Sequence, residues 1–234
     1  MSKKSSKGRK SKRSKKPALS NKAFYGVFAV MGAIVALYAG SEYGLWTSGD
    51  ETDAPREVST DDLSGAVAEL TVSDDHPDGY DRDLFPHWSD LDGSGCHARE
   101  VTLLAEDLSG NLSESDCGSA MDGEWDSWFD GESATNSSDF DVDHIVPLAE
   151  AWRSGAHDWS TEQREEFAND QDNLTAVSAS SNRSKGDSDP ADWMPPEEDI
   201  HCEYVAIWVD VKTTWELSVN EAEHAALEEI AADC

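Results

Sequence analysis

Beyond residue 22 the chain has very little positive charge. Ten of its 18 Lys/Arg fall in residues 1–22, where none of the 49 Asp/Glu lie, so the remainder sets eight bases against 49 acids, a net charge of −41. Affinity for nucleic acid comes largely from Lys/Arg that neutralise phosphates. A body this acidic therefore repels a polyanion at long range, and the only way to hold one is a local groove. Cysteine is also sparse. The four present, Cys96, Cys117, Cys202 and Cys234, form no CxxC pair, so no structural zinc is expected. No internal repeat occurs.

One stretch lacks charge altogether. "AFYGVFAVMGAIVALYAG", residues 23–40, follows the basic arm of residues 1–22. Eighteen helical residues span ~27 Å, close to a bilayer's hydrocarbon thickness. Tyr25 and Tyr38 stand near its ends, as interfacial aromatics do. The positive-inside rule leaves the arm in the cytoplasm and sends the rest outward. The expectation is a single-pass anchor in the cell membrane, with the arm serving as a topology signal beside anionic lipid. The alternative is a cleaved signal peptide and secretion, but the best cut, after Ala39, has a bulky Leu37 at −3. All four cysteines lie on the outward side, where disulfides persist. Four cysteines allow three pairings; Cys96–Cys117 and Cys202–Cys234 are favoured because each is local and brackets one segment.

Residues 41–75 are rich in Ser, Thr, Asp and Gly and read as an acidic flexible linker, with a turn or two of helix at "LSGAVAEL" (63–70). From residue 76 tryptophans and other aromatics recur, and 76–234 is long enough for one domain with its own core. Helical signals cover 96–108, 148–156, 160–170, 178–186 and 218–234, the last capped near Ser218 or Asn220. "YVAIWVDVKTTW" (204–215) fits helix or strand by period and leans to helix. "FDVDHIV" (140–146) and "NLTAV" (173–177) read as strands. The expected class is α+β.

The run "FDVDHIVPLAEAW" (140–152) places His144 directly after Asp143 near a strand end, and Pro147 supports a break there. A second run, "NLTAVSASSNRSKGD" (173–187), carries Asn182 where a helix would not choose it for propensity. Its amide oxygen and the Asp143 carboxylate suit a hard cation, Mg²⁺ or Mn²⁺, with water and phosphate oxygens completing the shell. An imidazole of ordinary pKa ~6.5 can take a proton from water.

These two runs resemble the HNH, or ββα-metal, nuclease motif. The chain is similar, over roughly residues 76–234, to exported bacterial HNH proteins related to the C-terminal nuclease domain of GmrSD-type restriction enzymes. The runs that carry this are "YDRDLFPHWSDLDGSGCHAREV" (80–101), "AWRSGAHDWSTEQREEFANDQDNLTAV" (151–177) and "DWMPP" (192–196). The resemblance implies a ββα-metal hairpin–helix core in a mostly helical domain. It casts Asp143 as a metal-binding acid, His144 as the general base, Asn173 as the residue that steadies the loop and the histidine, Asn182 as a metal ligand, and Lys185 as a phosphate contact. It implies hydrolysis of phosphodiester bonds to 5′-phosphate and 3′-hydroxyl ends.

Three further residues have two readings each. Arg99 holds the scissile phosphate or pairs with Glu100 or Glu106. Arg183 faces solvent or the DNA backbone. Asp141 lies near the metal or is simply solvated. The expected whole is a monomeric, outward-facing, divalent-metal endonuclease that acts on nucleic acid, DNA favoured, in a salt-rich setting where screening shortens repulsion to ~3 Å at 1 M. The rival is a cell-surface nucleic-acid or wall-binding protein on an inactive HNH frame.

Overall fold

The computed structural model describes residues 60, 62–76, 78–91 and 93–234. The chain divides into Met1–Glu51, which lies outside the described residues, and Thr52–Cys234. The expected anchor at 23–40 thus falls outside them. Among the described residues no helix is long and apolar enough to cross a membrane.

Among the described residues the fold is mixed α+β with two two-stranded sheets. Helix α1 (Leu63–Ala68) comes first, and α2 (Ala98–Ala105) precedes strands β1 (Asp122–Asp126) and β2 (Ser133–Asn136). Strand β3 (Phe140–His144) leads into α3 (Leu148–Arg153) and α4 (Thr161–Ala168). Then come β4 (Leu174–Ser178), α5 (Ala179–Lys185), α6 (His201–Thr214) and α7 (Glu221–Asp233). β1 pairs antiparallel with β2, and β3 with β4, in regular register from Phe140↔Ser178 to His144↔Leu174.

Local chemistry sets the ends. Ser160 caps α4 by accepting from Gln163 N–H while the Gln163 side chain accepts from Ser160 N–H, a reciprocal box that satisfies two orphan donors. Asn220 does the same for α7 with Glu223. Ser178 caps α5 through Ser181 N–H, and Gly186, at φ 59°, ends it because only glycine enters that region without a Cβ penalty. The expected segment 204–215 is helical through Thr214, and its buried side chains go all round: Tyr204, Val205, Ile207, Trp208, Val209 and Val211. A helix apolar on every side is one enclosed by its neighbours.

One boundary moves. Residues 62–72, expected to belong to a linker, are part of the folded body. Leu63, Val67 and Leu70 are buried in the main core, Ser64 Oγ donates to Ala231 O at 3.1 Å, and Val72 forms a parallel bridge with Val219. Apolar residues at i, i+4 and i+7 make one helical stripe, in keeping with the helix expected at 63–70, but three such residues among many acids do not announce a core. The β1–β2 hairpin was not expected either, since "DGEWD" and "SATN" hold almost no β-branched apolar residue.

The cysteines are joined as Cys96–Cys117 and Cys202–Cys234. The first ties the start of α2 to the loop before β1; the second ties the start of α6 to the chain's end. Two apolar clusters flank the β3–β4 hairpin. Phe140, Val142, Leu174 and Ala176 face Leu103, Met121 and Trp125, while Val177 joins the larger cluster around α6 and α7.

β4 has one free edge, and Glu106 covers part of it by accepting from Ala176 N–H at 2.9 Å. Burial pushes the Glu106 carboxyl up to about 7, against hydrogen bonds from Ala176 and Thr175 that favour its ionised form. The folded state therefore holds this proton more tightly than the unfolded chain. That contribution is complete below pH ~4.5 and is lost as pH rises through about 7. Its size is about 3 kcal/mol, from ~1.4 kcal/mol per pKa unit. Urea melts of wild type and Glu106→Gln at pH 5 and pH 8 test it. The variant gains on the wild type by roughly that amount between the two pH values.

Candidate functional site

Strand alternation divides β3 into two faces. Phe140, Val142 and His144 point to one side and are buried; Asp141 and Asp143 point to the other and are half-buried. β3 stays in register with β4 through His144 and ends there. Asp143 and His144 therefore leave the strand end on opposite faces.

α5 follows β4 directly and lies against the aspartate face. Its Asn182 and Lys185, one turn apart, meet Asp141 and Asp143, two strand residues apart. Asn182 Nδ2 donates to Asp141 Oδ2 at 2.9 Å. Lys185 Nζ donates to Asp143 Oδ2 at 2.8 Å and to His144 O at 2.8 Å. This register puts the Asn182 amide beside Asp141, with Lys185 beside Asp143. Lys185 is 1% exposed, so the expected phosphate contact is corrected: its ammonium is inside the protein and already bonded. Burial pushes Lys185 down and Asp143 up, and the contact between them opposes both shifts.

His144 is held from the other side. Its Nε2 lies 2.8 Å from Ala168 O, the carbonyl at the end of α4. A carbonyl only accepts, so Nε2 carries the proton and Nδ1 carries the lone pair. Burial holds the ring's pKa at about 3, which keeps it neutral. The buried side-chain atoms without a partner among the described residues are Ser127 Oγ and Tyr204 OH. Nδ1 of His144 makes no hydrogen bond among the described residues, and the ring as a whole is buried, 4% exposed.

The Trp88 ring stacks on the imidazole, with centroids 5.9 Å apart and planes at 28°. Trp88 adopts φ 61°, an outlier for a bulky residue that costs of order 1–3 kcal/mol. Asn169 secures that loop. Its Oδ1 accepts from Ser89 N–H at 2.7 Å and its Nδ2 donates to Pro86 O at 3.0 Å. The end of α4 thus positions the histidine through Ala168 and the tryptophan through Asn169. Neither residue was marked in the sequence; a backbone carbonyl leaves no side-chain signal, and Trp88 reads as one core aromatic among many.

Asn173 is fully buried. It accepts from Val146 N–H at 2.8 Å and donates to Val146 O at 3.2 Å, holding the turn that leaves β3. Arg99 follows neither of its two readings. It donates to Ser137 O at 2.9 Å and Phe140 O at 3.1 Å, clamping α2 to the start of β3. Glu100 instead accepts from His97 and Gly118. Arg183 is exposed in the last turn of α5.

The donor chemistry fits a hard divalent cation: carboxylates of Asp143 and Asp141 and the amide oxygen of Asn182, brought to one side of one hairpin. Asp143 keeps 12% side-chain exposure, and Asn182 Oδ1 is not used by Asp141. Among the described residues no cluster of three His, Cys, Asp or Glu forms a ready-made cage. A cation here would be held by few protein ligands.

The model for the GmrSD restriction endonucleases, C-terminal domain, matches residues 109–230. An uncharacterized secreted protein of Arthroderma benhamiae is 42% identical over 183 residues, covering 77% of this chain and 88% of the relative. No solved structure matches the chain. The matched span contains the hairpin, α5 and the helices that enclose them, and on that extent the chain belongs to the HNH-type family of GmrSD restriction endonuclease C-terminal domains.

Proposed function

We propose that the chain is a divalent-metal endonuclease that hydrolyses phosphodiester bonds, with His144 as general base and Asp143 and Asn182 as the residues that hold the cation. The observation that carries this is the hydrogen bond from His144 to Ala168 O, which fixes the tautomer and leaves the lone pair on Nδ1; burial, which holds the ring's pKa at about 3, weakens that base and counts for the rival. In this reading Nδ1 takes the proton of a water as that water attacks phosphorus. A bound Mg²⁺ or Mn²⁺ would neutralise charge on the phosphoryl group and the leaving oxygen. Asn173 keeps the turn after β3 fixed, and Lys185 holds Asp143 in place rather than meeting substrate. The β3–β4 hairpin with α5 is then the ββα-metal core, and the products carry 5′-phosphate and 3′-hydroxyl ends.

DNA is the favoured substrate. Two disulfides and a relative named as secreted support export, through an uncleaved anchor at 23–40 or as a secreted protein if that segment is cut. The protein is read as a monomer. A second observation favours the rival, inactive frame: the Lys185 ammonium already occupies Asp143. Plasmid nicking by the full chain decides between them. Nicking with Mg²⁺ or Mn²⁺ that EDTA abolishes supports the enzyme; no nicking under any divalent metal supports the inactive frame.

Charge adds an expectation. A body at net −41 repels DNA until salt screens it, so nicking holds or rises from 0.1 M toward 1–2 M NaCl. A steady fall over that range contradicts a salt-rich setting.

A further inference from the structure

Residues 60–234 contain seven Lys/Arg, and five are committed within the fold. Arg99 clamps backbone carbonyls. Arg153 pairs with Glu150 and Asp187. Arg164 donates to Leu84 O and Trp159 O. Lys185 is buried on Asp143, and Lys212 is buried between Glu150 and Glu223. Only Arg82 and Arg183 remain exposed with no carboxylate partner among the described residues.

Arg82 opens the short 3₁₀ turn Arg82–Leu84. That turn is anchored on both sides. Tyr80 and Phe85 pack on Trp152, and Arg164 holds Leu84 O. Three residues after Phe85 the same segment reaches Trp88, stacked on His144. Arg82 is exposed, and its neighbour Tyr80 is neutral and does not cancel its charge. The packing of Tyr80 and Phe85 on Trp152 of α3, the helix that follows β3, and of Trp88 on His144 sets Arg82 on the segment that borders the end of β3.

We propose that Arg82 is a substrate-binding residue that grips a backbone phosphate of the nucleic acid next to the bond being cut, with Arg183 on α5 as the second cationic contact. This rests on the nuclease reading above. A guanidinium suits the role because its planar fork meets two phosphate oxygens at once. In a body otherwise repelling polyanions, two free cations at the site supply the local groove that the composition requires.

The test uses the full chain and a fluorescein-labelled 20-bp DNA duplex, with nicking kinetics in Mg²⁺ and duplex binding measured in the His144→Ala background. Arg82→Ala raises KM about tenfold, as expected for a lost charge-assisted hydrogen bond, with kcat changed less than about threefold. The slope of log K against log salt becomes more positive by about 0.9, the share of one lost phosphate contact. Arg82→Lys recovers the salt slope but not all of the affinity. Thermal melts of both variants stay near wild type, because Arg82 is exposed. Unchanged KM and salt slope in Arg82→Ala, with wild type still nicking, overturn the proposal for Arg82 alone. So does a fall in kcat with KM intact. Wild type that neither nicks nor binds the duplex overturns the nuclease reading, and this proposal with it.

Discussion

Replacing His144 by alanine lowers kcat for plasmid nicking by about 10²–10⁴, the range for loss of a positioned general base. The geometry separates this from general damage. The ring contributes a hydrogen bond to Ala168 O and a stacking face to Trp88. Its removal frees a buried carbonyl, a cost of about 1–3 kcal/mol. For a chain of this size that lowers Tm by several degrees, so the variant is folded at assay temperature. His144→Gln keeps a donor that can reach a carbonyl but supplies no base, and it recovers stability without recovering rate. Imidazole added to His144→Ala restores part of the rate, since the vacated space admits the missing base. A rate that follows Tm across these variants, with no imidazole effect, indicates a structural histidine instead.

The largest stability effect belongs to Lys212. Its ammonium is fully buried, 2.7 Å from Glu150 Oε1 and 3.1 Å from Glu223 Oε1. It also donates to Ser218 O at 2.9 Å. Glu223 accepts from Trp208 Nε1 at 2.7 Å, and Glu150 is also paired with Arg153. One cation thus ties together α3, α6 and α7 from the inside. Lys212→Met leaves two buried carboxylates facing each other, and breaking such a cluster costs about 3–5 kcal/mol. Tm falls by about 10 °C at ~2–4 °C per kcal/mol. Burial already pushes the Glu223 carboxyl up to about 7, so the remaining strain is relieved by protonation. The double variant Lys212→Met/Glu223→Gln therefore recovers part of the loss. If it is no more stable than Lys212→Met, the damage comes from packing and not from unpaired charge.

How much of this was legible in the sequence follows from what kind of signal each feature leaves. Helices with caps at Ser160 and Asn220, and the strands around His144 and Thr175, announce themselves by period and by end residues. α1 reads as a turn or two of helix inside a linker, because Leu63, Val67 and Leu70 lie in a strongly acidic stretch; packing against α7 outweighs that composition and brings the stripe into the core. The site was half legible. The residue types at 143, 144, 173 and 182 point to cation and base chemistry, but sequence spacing does not fix the register between α5 and β3. That register sets Asn182 on Asp141 and buries Lys185 on Asp143. Arg99 shows the same limit: an arginine's role depends on which carbonyls fold toward it, and here they come from residues about forty positions away.

The proposed function turns on one divalent cation held by Asp143 and Asn182 on the aspartate face of β3. Anomalous diffraction from crystals soaked in Mn²⁺ measures this directly. The account predicts a single strong peak within ~2.0–2.3 Å of one Asp143 oxygen and of Asn182 Oδ1, with Lys185 still on the other Asp143 oxygen and the peak gone in Asn182→Ala. A map with no peak at the hairpin, or with the metal elsewhere and the Asn182 amide unmoved, contradicts it.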